Sequence, residues 1–128
     1  MNNLNVGIAG ELRVMSELLL RGKNPAKSYL DMGIDCILEN GKTIQIKTSS
    51  ASNKHKREKK KNVYTFTFQD WKNRTHRIIA HYIICWCVED NIFIIFPSSF
   101  IDGKGCIRFV KSETNQFAQF INNWEILN

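Results

Sequence analysis

The sequence is short of chain breakers. Two prolines and seven glycines in 128 residues exclude a collagen-like or linker-dominated chain. Long apolar runs are also missing. A membrane-spanning helix needs about 18–20 apolar residues, whereas the longest runs here, 82–87 and 92–96, have the length of strands. The opening Met1-Asn2-Asn3-Leu4 lacks the basic-then-apolar layout of a secretion signal. With 43% hydrophobic and 23% charged residues, global disorder is excluded. The expectation is one domain over residues 1–128, cytoplasmic and without a membrane segment. Cysteine is sparse. Cys36, Cys85, Cys87 and Cys106 all stand among apolar neighbours, which suits reduced, buried thiols. Cys85 and Cys87 share a strand face, but no second Cys or His pair completes a zinc spacing. His55, His76 and His81 show no metal-ligand spacing either.

Acidic residues are outnumbered, 12 against 18 Lys and Arg, and the imbalance is local. Residues 53–77 hold nine of the basic residues (Lys54, Lys56, Arg57, Lys59, Lys60, Lys61, Lys72, Arg74 and Arg77). Only Glu58 and Asp70 oppose them, so this window carries +7 and the rest of the chain −1. A basic cluster on a near-neutral body is the footprint of a polyanion partner. A solvated loop is the plain alternative. An acidic membrane surface is disfavoured, because no amphipathic helix accompanies the cluster.

Periodicity predicts a helix over residues 4–22. Leu4, Ile8, Glu11, Met15, Leu18 and Gly22 step by four and three along one face, and Gly22 supplies the stop. A carboxylate on that face is costly unless it is paired or binds something. Either Glu11 meets a cation at the stripe's edge or it belongs to a site. Residues 33–38 and 42–48 read as strands around Glu39-Asn40-Gly41. A three-residue loop with a left-handed Gly41 pairs Leu38 with Lys42. It places Ile34, Cys36, Leu38, Ile44 and Ile46 on one face and Asp35, Gln45 and Lys47 on the other. Asp35 then lies across from Gln45. Residues 63–68 alternate as a third strand, and residues 78–88 and 91–96 read as strands covered on both faces. Residues 106–110 suit a short edge strand. Residues 112–127 suit a closing helix capped by Ser112, with Phe117, Phe120, Ile121 and Trp124 as its apolar stripe. Helix, four or five strands, then helix is an α/β domain with a mixed central β-sheet flanked by helices.

Glu11, Asp35, Gln45 and Lys47 are the residues that carry chemistry. A carboxylate pair with oxygen donors suits a hard divalent cation such as Mg²⁺. A neighbouring lysine orients or deprotonates a water and stabilises an oxyanion. A basic stretch downstream holds a phosphate backbone. These are the parts of metal-assisted phosphodiester hydrolysis.

Gly10-Glu11, Asp31-x-Gly33-Ile34-Asp35 and Gln45-Ile46-Lys47-Thr48 resemble the PD-(D/E)xK nuclease superfamily. The Q-x-K element, ten residues after Asp35, is similar to that of a bacterial group I intron homing endonuclease and, more distantly, of archaeal Holliday-junction resolvases. The resemblance covers residues 5–50 and extends loosely through 92–98 and 123–127. It implies a single restriction-endonuclease-like domain, helix–three strands–helix–strand. It also implies DNA as substrate and Mg²⁺, or Mn²⁺ in its place, as cofactor. Asp35 would then be the metal-binding aspartate and Lys47 the catalytic lysine, with Glu11 as the helix carboxylate. Gln45 fills the slot that is usually Glu or Asp, and the main-chain carbonyl of Ile46 is a further ligand. In-line attack by a water leaves a 3′-hydroxyl and a 5′-phosphate. The basic residues Lys54, Lys56, Arg57, Lys59, Lys60 and Lys61 would reach phosphates, with Trp71, Arg74, His76 and Arg77 extending the surface. Asp31 reads as a turn residue. Cutting two strands takes two centres, so at least a homodimer is expected. The neutral Gln45 keeps open a second reading, a nuclease-fold protein that binds nucleic acid with weak or no cleavage. A small interaction protein without DNA binding is a third.

Overall fold

The computed structural model describes residues 2–29, 33–52, 61–68, 78–113 and 116–128. Helix α1 (Asn3–Leu20) begins where the Asn2 side chain accepts the Leu4 N–H at 2.8 Å. It ends at Gly22, whose φ of 80° is left-handed. The Gly22 N–H bonds to the Leu19 carbonyl and the Lys23 N–H to the Leu18 carbonyl, the paired bonds of a Schellman stop. Gly22 thus ends the helix as expected, but the buried face differs from the expected one. It is Val6, Gly10, Val14 and Leu18, a stripe with a four-residue step. Leu4 and Ile8 are 69% and 48% exposed, and Glu11 and Met15 are half-buried at the stripe's border. Gly10 is the cause. A Cβ on it would lie 1.6 Å from Thr48 Oγ1. The helix therefore comes closest to β3 at Gly10, where it has no side chain, and Leu4, Ile8 and Leu12 turn outward.

Strand β1 (Ala26–Lys27) pairs antiparallel with β2 (Cys36–Ile37), which pairs antiparallel with β3 (Thr43–Ser49). The β2–β3 loop takes the expected form. Gly41 has φ 83°, and the Leu38 N–H donates to the Lys42 carbonyl at 2.8 Å. Cys36 faces Ile44 and Ile37 faces Thr43, which is the predicted register. Cys36, Leu38, Ile44 and Ile46 are buried with Val14 and Leu18 of α1, whereas Ile34 is half-buried.

Strand β4 (Val63–Thr67) leaves this sheet. Strand β5 (Tyr82–Cys87) returns to it, parallel to β3, and β6 (Ile92–Pro97) follows antiparallel, giving the order β1-β2-β3-β5-β6. The mixed α/β sheet is thus as predicted. Its successive apolar residues have the expected cause. Ile84, Phe93 and Ile95 point into the α1 cluster. Ile83, Cys85, Ile94 and Phe96 point into a second core on the other face. His81 clips the start of β3 to β5, since the Thr43 N–H donates to His81 Nδ1 at 3.0 Å and the His81 N–H to Thr43 Oγ1 at 3.1 Å. After the short helix α2 (Ser98–Ile101), strand β7 (Cys106–Val110) pairs with β4 in a separate two-stranded sheet. That sheet roofs the second core with Tyr64, Phe66, Ile107 and Phe109.

Three expectations are corrected. The closing helix over 112–127 is replaced by 3₁₀ turns, Ala118–Phe120 and Trp124–Leu127, on either side of a left-handed Asn122 (φ 50°). The edge of β6 makes this demand. The Asn122 N–H donates to the Phe93 carbonyl at 2.7 Å, and the Phe93 N–H donates to Asn122 Oδ1 at 3.0 Å. Ile121 bridges Ile94. A helix has no free backbone groups with which to cap a strand edge. Second, Cys106 is exposed, while Cys36, Cys85 and Cys87 are buried as expected. Third, strands β4 and β7, expected at 63–68 and 106–110 within the one mixed sheet, pair with each other in a sheet of their own. No helix among the described residues is long and apolar enough to cross a membrane.

Candidate active site

Asp35 stands at the entrance to β2 and folds over onto β3. Its N–H donates to the Ile44 carbonyl at 2.8 Å, and its carbonyl accepts the Ser28 N–H at 2.9 Å. Its Oδ2 accepts the Ile46 N–H at 2.6 Å. Backbone and side chain are both held, so the half-buried carboxylate has one orientation relative to β3. Glu11 comes from α1, in the turn that Gly10 presses against Thr48. Its carboxyl is held above the usual carboxylate range, first by burial and then by the negative charge and hydrogen bond of Asp35; Lys27 acts in the opposite direction. The two carboxyls thus lie within hydrogen-bond reach of one another. Cys36 senses both, since burial, then Asp35, then Glu11 push its thiol up to about 12.

Gln45 follows Ile44, which pairs with Cys36 and whose carbonyl also accepts the Asp35 N–H. Its Nε2 lies 3.9 Å from where a Cβ on Gly33 would sit. Lys47 follows two residues later on the same half-buried side of β3. In the parallel ladder it pairs with Cys85, and its charge opposes the rise that burial imposes on that thiol. No ion pair joins Lys47 to Glu11 or Asp35. The structure therefore brings the two carboxylates together, places Gln45 between Ile44 and Ile46, the two β3 residues whose backbone Asp35 bonds, and leaves Lys47 alongside without an ionic contact. Lys27 was missed in the sequence. It lies on a two-residue strand, too short for any periodic signal, yet its ammonium acts on Glu11.

Of the residues expected to hold phosphate, Lys54, Lys56, Arg57, Lys59, Lys60, Arg74 and Arg77 lie outside the described residues, as do Asp31, Trp71 and His76. Lys61 is described and exposed. The two ends of the basic segment meet at the bridge between Ser52 and Val63, where the Ser52 N–H donates to the Val63 carbonyl at 2.9 Å. That bridge lies just beyond the C-terminal end of β3, the strand of Gln45 and Lys47.

Glu11, whose proton is favoured by burial and by the neighbouring Asp35 carboxylate, is short of positive charge. Among the described residues, no group of three or more His, Cys, Asp or Glu side chains is gathered. The donor set fits a hard cation that takes one or two carboxylates and keeps its waters, as Mg²⁺ does, better than a closed zinc cage.

No protein-family model and no curated protein matches the sequence. Among solved structures, that of a bacterial homing endonuclease, I-Ssp6803I, aligns with 99% of this chain and 93% of its own, at a TM-score of 0.77 and 16% identity. The chain has a homing-endonuclease-like fold. Within that fold the carboxylate pair lies where α1 crosses the β2–β3 hairpin, and the basic segment opens at the end of the same hairpin's second strand.

Proposed function

We propose that the chain is a Mg²⁺-dependent DNA endonuclease of the PD-(D/E)xK type, acting as a homing or nicking enzyme or as a junction resolvase. The single observation behind this reading is the Glu11–Asp35 carboxyl pair set against β3, where Gln45 and Lys47 occupy the Q-x-K positions. The fold shared with a homing endonuclease supports it. Glu11 and Asp35 would hold the cation, Mg²⁺ or Mn²⁺, with the Gln45 side chain and the Ile46 carbonyl beside them. When bound, such an ion supplies positive charge to a phosphodiester and acidifies a water. Asp35 acts only in the orientation its bond to the Ile46 N–H imposes. Lys47 orients the attacking water and offers its ammonium to charge developing on the phosphate. The basic residues around Lys61 hold the backbone on either side of the cut.

Nicking of supercoiled plasmid in Mg²⁺ tests the assignment. Asp35→Asn keeps an oxygen for the Ile46 N–H, and Lys47→Met keeps the stem of the lysine. Each should slow cleavage by about 100-fold or more at an unchanged melting temperature. Undiminished cleavage by both variants ends the idea.

The neutral Gln45 favours a second reading, a nuclease-fold protein that binds DNA with weak or no cleavage. DNA affinity retained with no Mg²⁺ binding at millimolar concentration would select it.

Cutting both strands calls for two centres, and α1 offers the surface for a homodimer. Leu4, Ile8, Leu12, Leu19 and Leu20 are 48–78% exposed along it. Sedimentation should show a dimer or larger assembly that Leu12→Gln weakens. A monomer at every concentration, with and without DNA, would contradict this.

A further inference from the structure

The β4–β7 ribbon is not used by the cleavage chemistry, yet its two faces differ sharply. Five cross-strand pairs run in register from Val63 with Val110 to Thr67 with Cys106. The inner face, Tyr64, Phe66, Ile107 and Phe109, is fully buried in aromatic packing. The outer face presents Thr65, Thr67, Cys106 and Arg108 to solvent, with Thr65 directly across from Arg108. Neither strand contains a carboxylate. Exposed lysines stand at both ends, Lys61 and Lys111 at one and Lys104 at the other.

From this we infer that the ribbon reads base sequence in the major groove of duplex DNA, with Arg108, Thr65 and Thr67 as the reading side chains. The inference rests on the nuclease reading and adds its specificity element. A two-stranded ribbon is one of the two elements the major groove, about 12 Å wide, admits. Five residues per strand extend about 17 Å along it. Arginine matches the O6 and N7 acceptors of guanine with two donors. Threonine offers a hydroxyl to base edges and a methyl to thymine. The terminal lysines fall where the groove walls carry phosphates.

Rigidity supports the assignment. Tyr64 donates its hydroxyl to Asp90 Oδ2 at 2.7 Å and accepts the Asp90 N–H at 2.9 Å, which fixes the ribbon from below. The Thr65 N–H donates to Ser49 Oγ at 3.2 Å, which ties the ribbon to the last residue of β3. The reading face and the strand of Gln45 and Lys47 are therefore joined by one hydrogen bond. A fixed offset between the base step that is read and the bond that is cut follows from that link.

The test is selection of bound sequences from a duplex library with a randomised core, using the full chain without divalent cation. The wild-type protein should enrich sites containing a guanine at a defined position. Arg108→Lys should lose that preference by roughly 5- to 150-fold while keeping the salt dependence of affinity, because a lysine keeps the charge but not the fork. A purely structural role for Arg108 would not produce that split. Thr65→Val, which keeps the branched shape, should flatten a neighbouring position. An Arg108→Lys profile identical to wild type, or a wild-type profile flat across the core, overturns the inference and leaves the nuclease reading intact. A wild-type chain that binds no duplex at all overturns both.

Discussion

Replacing Gly10 by alanine tests how the helix is seated on the sheet. In an isolated helix this change is favourable by about 1 kcal/mol. Here the new Cβ would lie 1.6 Å from Thr48 Oγ1, 2.7 Å from Thr48 Cβ and 3.0 Å from Thr48 Cγ2. A rotamer change removes the first clash but not the second, because Cβ moves only with the β3 backbone. Overpacking of this kind costs about 1–3 kcal/mol, and a backbone-anchored overlap belongs at the upper end. Set against the propensity gain, the net loss is about 1–2 kcal/mol. At this chain length that lowers the melting temperature by about 4–8 °C. Thermal unfolding followed by circular dichroism measures it. The decisive comparison is a double-mutant cycle. In a Thr48→Ala background two of the three clashing atoms are gone, so Gly10→Ala should cost about 1 kcal/mol less than in the wild type. Additive effects of the two changes, or a wild-type background in which Gly10→Ala raises the melting temperature, would refute this account.

The remaining predictions concern groups whose environment is unusual. Glu11 binds its proton more tightly in the folded chain than in the unfolded one, through burial and Asp35. That contribution to stability is fully present below the ordinary carboxylate pKa and is lost as pH rises through the raised value. Urea midpoints of the metal-free protein should therefore fall as pH rises above the ordinary carboxylate pKa of about 4.3, and Glu11→Gln should flatten that fall. Parallel curves for the two proteins would contradict the reading. Adding Mg²⁺ should restore the loss and release protons, as calorimetry in two buffers would show. Tyr64→Phe removes a hydroxyl that both donates to and accepts from Asp90. It should cost about 1–3 kcal/mol in denaturant unfolding; an unchanged midpoint would mean those bonds carry no net stability.

Local chemistry was legible in the sequence wherever neighbouring residues decide the structure. A left-handed Gly41 closing a three-residue loop and the segregation of apolar residues gave the β2–β3 register, Cys36 with Ile44 and Ile37 with Thr43. Gly22 marked the end of α1. The helix face was misread because its seat depends on a contact with Thr48, far along the chain, that a glycine makes possible by lacking a side chain. An apolar periodicity counts bulk and does not register a gap. The C-terminal segment was misread for a similar reason. Phe117, Phe120, Ile121 and Trp124 have helical spacing, but Asn122 is drawn to the open edge of β6. The two-stranded sheet was missed because β4 and β7 pair across most of the second half of the chain. Cys106, on the outer face of that sheet, was misplaced with it.

Strand β3 has one neighbour that is close in the chain and one that is remote. Its pairing with β5 runs over six residue pairs, from Ile44 with Tyr82 to Ser49 with Cys87. At ordinary rates of translation the ribosome needs a few seconds to deliver β5 after β3 has emerged. During that interval one side of β3 is an unpaired edge, open to other nascent chains and to chaperones. By then Glu11, Asp35, Gln45 and Lys47 have all been synthesised, and the β2–β3 hairpin has both its strands, but β3 still lacks its parallel partner. A half-made chain therefore carries every one of those side chains on a sheet that has yet to gain β5 and β6.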